Sequence, residues 1–114
     1  MHELSIATAI VERADELARA QGTDAVAAVS VRVGELSGVV PEALDFAFEV
    51  ARDGTALAAA KLVVERVPAR AWCESCAEQF SVGVPPFFWC PRCDRPSTAL
   101  RSGRELEITD IRPA

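Results

Sequence analysis

Four cysteines constrain this chain more than any other feature. Cys73, Cys76, Cys90 and Cys93 stand in the pattern C-x2-C-x13-C-x2-C. Two residues between paired cysteines let both thiolates turn inward onto one ion. Two such hairpins facing each other complete a tetrahedron of four sulfurs, the preferred closed site for structural zinc. The segment that carries them, Ala71 to Ser102, is shorter than the ~40 residues below which a unit seldom folds without a metal or disulfides. Zn(II) is therefore expected here as a structural ion, because four thiolates leave no position for water or substrate. Two disulfides or buried free thiols are the competing readings. A thiol redox motif needs only one C-x-x-C and leaves the second pair unexplained. Iron in a rubredoxin-like site uses the same four ligands, and the sequence leaves it open.

The beginning of the chain, Met1-His2-Glu3-Leu4-Ser5, has no basic stretch followed by an apolar one, so it does not read as a signal peptide. No apolar run approaches the ~20 residues that cross a bilayer. The expected location is cytoplasmic, with no membrane association, and a reducing compartment favours metal over disulfides. The net charge of −5 and a pI near 4.8 come with no basic run. A nucleic-acid partner normally leaves a positive footprint, so none is expected.

Pro91 sits inside the second cysteine pair, a usual place for it in a zinc knuckle, and Asp94 follows that pair where glycine is more usual. Trp72, Phe80, Phe87, Phe88 and Trp89 surround the pairs. So short a segment has little else to bury, so they are read as a small core around the ion rather than a partner-binding surface.

The flanks read as one α+β unit. Ile6, Ala7, Ile10, Val11, Ala14, Leu17 and Ala18 recur at helical spacing between Ser5 and about Gln21, with Gly22 as the stop. Val29, Val31 and Val33 alternate with Ser30 and Arg32, predicting a half-buried strand from Val26 to Gly34. A loop with Gly34 and Gly38 leads to Pro41, which suits the first turn of a second helix that ends at Asp53-Gly54. Lys61 to Val67 reads as a second strand that Pro68 interrupts or marks as an edge. Glu105 to Ile111 alternates again as a last strand, whose apolar residues need the first sheet to pack on. The expected architecture is a small three-stranded sheet with two helices plus an inserted zinc-ribbon-like domain. Residues 1–70 and 103–114 form the first unit, and residues 71–102 form the insert.

His2 is the only histidine. Histidine is too large at the second position for the initiator methionine normally to be trimmed, so Met1 is expected to remain. The α-amine of Met1, the amide nitrogen of His2 and its imidazole can then close two fused chelate rings. Three nitrogens in a plane suit square-planar Ni(II) or Cu(II), with a fourth position open.

The resemblance becomes specific when the motifs are taken in order. Met1-His2-Glu3-Leu4-Ser5, then Val33-Gly34-Glu35-Leu36-Ser37, then Pro41-Glu42-Ala43-Leu44 with Phe46-Ala47-Phe48, and finally the two C-x-x-C pairs follow one another. The whole chain resembles the HypA/HybF family of nickel metallochaperones for [NiFe]-hydrogenase maturation, which are not enzymes. In some relatives the same machinery also feeds urease. The resemblance implies transported Ni(II) at Met1 and His2, Zn(II) at the four cysteines, and as partners a HypB-type nickel GTPase and the hydrogenase large subunit. Glu3 matches the family's next residue. It is either a ligand or hydrogen-bond partner of His2, or a solvated helix-start carboxylate. Some relatives carry an acidic residue near the nickel in the loop after the first strand. Here that loop has Val40, which cannot coordinate, and Glu42 reads as a helix-start charge, so the fourth ligand stays open. The alternative from another class is a zinc-ribbon adaptor that binds a protein partner without nickel.

Overall fold

The computed structural model describes residues 3–114. Helix α1 spans Glu3–Ala20 and buries Ile6, Ala7, Ile10, Val11, Ala14 and Ala18. It begins two residues ahead of the Ser5 start that the periodicity gave. It ends where Gly22 turns left-handed at φ 77. The Gly22 N–H then donates to the Arg19 carbonyl and the Thr23 N–H to the Ala18 carbonyl, so the last carbonyls of the helix are satisfied.

Strand β1, Val26–Gly34, is the centre of a three-stranded sheet. The crossover helix α2, Pro41–Ala51, leads to β2, Lys61–Val67, which lies parallel to β1. Pro41 occupies the first turn of α2 and Val40 is its extended N-cap residue. Strand β2 is an edge strand and stops just before Pro68, where a residue without an N–H can sit at no loss. Both helices cover one face of the sheet, where Leu44, Phe48, Val29, Val31 and Leu57 are fully enclosed. On the other face Arg32 pairs with Glu65 and Glu107. Such exposed pairs contribute no more than about 1 kcal/mol each.

The strand that closes the sheet departs from the alternation of its sequence. It lies antiparallel to β1 over Leu106–Pro113, the last of six strands in the chain, and is called β6. Strict alternation would send Ile108 and Ile111 to opposite faces. The pairing instead runs Ser30 with Asp110 and Val31 with Ile108, so Thr109 is an extra residue. This bulge turns both isoleucines onto the core.

Between β2 and β6 the chain forms a second sheet of β3 (Arg70–Cys73), β4 (Glu78–Ser81) and β5 (Leu100–Ser102), in the order β4-β3-β5. It has its own apolar cluster of Ala69, Ala71, Cys73, Phe80, Val82 and Cys90. The molecule is elongated accordingly, with a radius of gyration of 17.2 Å. A compact chain of this length has about 13 Å.

The two sheets meet at a narrow crossing. The Leu36 N–H donates to the Gly103 carbonyl and the Glu35 N–H to the Val67 carbonyl. The Glu35 carboxylate accepts the Ala69 N–H, and Ser102 Oγ donates to the Pro68 carbonyl. Leu36 reaches past the crossing and packs on the second cluster. Gly34 ends β1, where the alternation predicts the strand to end, and lies against the Gly103 backbone.

Candidate metal centre

The four cysteines converge although they come from different elements. Cys73 ends β3, Cys76 lies in the turn before β4, and Cys90 and Cys93 lie in the long loop between β4 and β5. All four Sγ atoms lie within 4.8 Å of one another. Cys73 and Cys93 are 3.5 Å apart, and Cys76 and Cys90 are 3.9 Å apart. A tetrahedron with sulfurs about 2.3 Å from a central zinc has edges of about 3.8 Å. The cluster therefore has the size of a tetrahedral four-sulfur ion site, and no disulfide links its members.

Each pair sits in the same kind of turn. The second is a tight hairpin in which the Cys90 N–H donates to the Arg95 carbonyl and the Asp94 N–H to the Cys90 carbonyl. Trp89 and Pro96 bridge its stem. The residue after each pair is left-handed, Ala77 at φ 52 and Asp94 at φ 59. This region suits glycine, and aspartate tolerates it better than alanine does. Asp94 was visible in the sequence as a missing glycine; Ala77 stands at the equivalent place in the first pair and is signalled by the same spacing. Replacing Ala77 with glycine is expected to stabilise the metal-loaded insert by about 1 kcal/mol, and Asp94→Gly by less. Chemical denaturation followed by Trp72 and Trp89 fluorescence checks the order. A destabilised Ala77→Gly would show that the turn is not strained.

The thiols are electrostatically unequal. Backbone N–H groups of Cys93 and Arg92 point at Cys90 and bring it down to about 7, against the opposing effect of burial. Burial and the three neighbouring thiols push Cys76 up to about 12. A bound cation must displace the protons that these groups hold, so ion binding releases protons and weakens as pH falls. Arg92 also donates to Glu78 at 2.7 Å, which ties the second pair to β4.

The aromatic residues divide. Phe80 is buried and Phe88 packs on the same cluster, as expected of a small core. Trp72 is half-buried beneath the Arg101 guanidinium, 5.0 Å from its ring centre. Phe87 and Trp89 do not join the core. They are 60% and 45% exposed, with ring centres 5.3 Å apart.

A family model described as hydrogenase/urease nickel incorporation, metallochaperone, HypA matches residues 1–112. The chain belongs to the HypA family. A HypA hydrogenase maturation factor of Streptomyces avermitilis is 47% identical over 112 residues, spanning 97% of this chain and 86% of that protein. One from Chloroflexus aurantiacus is 47% identical over 111 residues, spanning 97% of each. The solution structure of the nickel metallochaperone HypA from Helicobacter pylori shares the fold, with a TM-score of 0.69 at 21% identity over 99% of this chain and 97% of that one.

For the residues that the HypA resemblance assigns to nickel, the outcome differs by position. Met1 and His2 lie outside the described residues. Glu3 is the first residue of α1, half-buried, where the helix dipole favours a carboxylate. Glu42 holds the same kind of place in the first turn of α2 and is exposed. Among the described residues, no helix is long and apolar enough to cross a membrane.

Proposed function

We propose that this chain carries Ni(II) to [NiFe]-hydrogenase during its maturation, holding the ion at its amino terminus and a structural Zn(II) at its four cysteines. The observation that carries this reading is the match of nearly the whole chain to a family of nickel-incorporating metallochaperones. Met1 supplies its α-amine, and His2 its amide nitrogen and imidazole; Glu3 stands next to them as a ligand or as their hydrogen-bond partner. Cys73, Cys76, Cys90 and Cys93 bind zinc, whose tetrahedral preference the sulfur separations fit. Residues 1–70 and 103–114 form the nickel-binding domain, and residues 71–102 an inserted zinc domain. The partners are a HypB-type nickel GTPase and the hydrogenase large subunit, and the compartment is the cytoplasm. The chain acts as a carrier, because a closed four-thiolate ion offers no open position for catalysis.

The deciding experiment is calorimetric nickel titration of untagged protein, of a variant with one residue added before Met1, and of His2→Ala. The extension keeps every side chain but converts the α-amine to an amide. Each change removes a direct ligand. Each loss of affinity should therefore exceed the roughly 10- to 100-fold that follows from disturbing an outer-shell partner. Zinc content and thermal stability should stay at the wild-type values, since a chain end contributes little to a core. Nickel binding should weaken below neutral pH, where the amine and imidazole hold their protons. An extended protein that binds nickel like the wild type would remove the amine from the ligand set.

A zinc-ribbon adaptor is the second reading. Exposed Val84, Phe87 and Trp89 on the insert favour it. It predicts no nickel binding by the native amino terminus.

A further inference from the structure

The exposed side of α2 carries a feature that neither ion site uses. Leu44, Ala47 and Phe48 face the core. On the opposite side Phe46 is 68% exposed and Val50 is 56% exposed. They stand four residues apart and so share one stripe of the helix. Single exposed hydrophobic residues are ordinary, but a phenylalanine and a valine side by side on a rigid helix are not explained by packing. Acidic residues line one flank of the stripe: Glu42, Asp45, Glu49 and Asp53 are all exposed. None of the four is in an ion pair among the described residues. Lys61 and Arg52 share a shallow groove with Asp45 and Glu49, and Arg52 donates to the Ala60 carbonyl instead.

We infer that this face of α2 docks a partner protein whose surface offers an apolar socket for Phe46, rimmed by lysine or arginine side chains. The inference rests on the nickel-carrier reading for its biological setting and adds the contact surface. An aromatic anchor with charged residues at its edge is common in protein interfaces. The charge determines the partner's sign. A surface with an acidic rim would meet like charges here, whereas a basic rim is drawn in and oriented. A second copy of this chain, with a net charge of −5, fits poorly for the same reason.

The position gives the face its use. The connection from α1 to β1 is only residues 21–25, so α1 runs back over the sheet toward the end of β1. Helix α2 starts seven residues after β1 ends and also runs back along the sheet, to reach the start of parallel β2. Both helices therefore begin at the same end of the molecule. Leu4 in the first turn of α1 and Val40 at the head of α2 are exposed there as well, at 51% and 52%. A protein seated on α2 stands beside the end of the chain that bears Met1 and His2, where an ion can be handed over.

The test uses the zinc-loaded full chain and the nickel GTPase proposed above, with binding measured by calorimetry at low and high salt. Phe46→Ser should weaken binding by about 30-fold or more, the range of an interface hot spot. The double variant Asp45→Lys/Glu49→Lys should lower low-salt affinity by about tenfold and flatten its salt dependence. Nickel titration of the same variants should be unchanged, since these residues are not ligands. Wild-type binding by all variants overturns the inference while leaving the carrier reading intact. No binding of the GTPase by wild type, with nickel bound, overturns the partner assigned to this face. Failure of wild type to bind nickel overturns the carrier reading itself. A wild-type dimer in sedimentation that Phe46→Ser dissolves would assign the face to self-association and also overturn the inference.

Discussion

Cys73→Ala and Cys90→Ala should each lose bound zinc and melt the second sheet, while β1, β2, β6 and both helices stay folded. The reason is the composition of the insert's core. Its buried cluster holds six residues, Ala69, Ala71, Cys73, Phe80, Val82 and Cys90, so two of the six are themselves proposed ligands. What remains is one phenylalanine, one valine and two alanines, far too little apolar surface to order about 30 residues. The ion supplies the difference. Structural zinc in comparable small domains contributes roughly 10–16 kcal/mol of folding free energy near neutral pH, and that is lost with the closed site. The main core is separate and keeps its sixteen buried residues, Phe48 and Leu44 among them. Amide exchange should therefore rise to unprotected values in β3, β4 and β5 and stay slow in β1, with metal analysis showing no zinc. Full zinc occupancy in both variants would sink the four-cysteine site, and collapse of β1 protection would sink the independence of the two cores.

Gly34→Ala is expected to destabilise the whole protein by about 3 kcal/mol or more, through overpacking rather than through backbone strain. A Cβ built at Gly34 falls 2.2 Å from both the carbon and the oxygen of the Gly103 carbonyl, and 2.6 Å from the Arg104 nitrogen. All three are backbone atoms, so no side chain can swing away. The strands must separate, and that breaks the Gly34 N–H bond to the Glu105 carbonyl and the Leu36 N–H bond to the Gly103 carbonyl. Against a total stability of about 5–15 kcal/mol such a loss is large. The melting temperature should fall by roughly 10–20 °C. Gly38→Ala serves as the control. Nothing lies within 4 Å of its Cβ, and only its φ of +82 opposes the change, for about 1–2 kcal/mol. Thermal melts of the two variants, both zinc-loaded, decide the matter. Equal midpoints would mean that the crossing yields easily.

The paired cysteines and their spacing defined the ion site before any coordinates, because coordination chemistry is local: two residues between thiolates fix how each pair presents itself. Helical spacing of Ile6, Ala7, Ile10 and Val11 and the alternation of Val29, Val31 and Val33 were equally legible, since burial of one face imposes its period on the sequence. The motif order through His2, Glu35 and Pro41 gave the family. Pairwise geometry was not written there. The bulge at Thr109 depends on how β6 aligns with β1, whereas alternation alone would put Ile111 on the face opposite Ile108. Gly34 was legible as the end of the first strand, but its need for glycine was not, because the reason is the backbone of Gly103, distant in sequence. Phe87 and Trp89 looked like core residues beside Phe80, because composition records how apolar a segment is and not how much space its fold encloses. The exposure of Phe46 and Val50 is likewise a matter of how much the fold covers and not of composition. The spacing of Ala43, Leu44, Ala47, Phe48 and Ala51 already marked the side of that helix that meets the sheet. Only the tertiary structure decided that Phe46 and Val50 stay uncovered among the described residues, because that depends on what the rest of the chain packs against them.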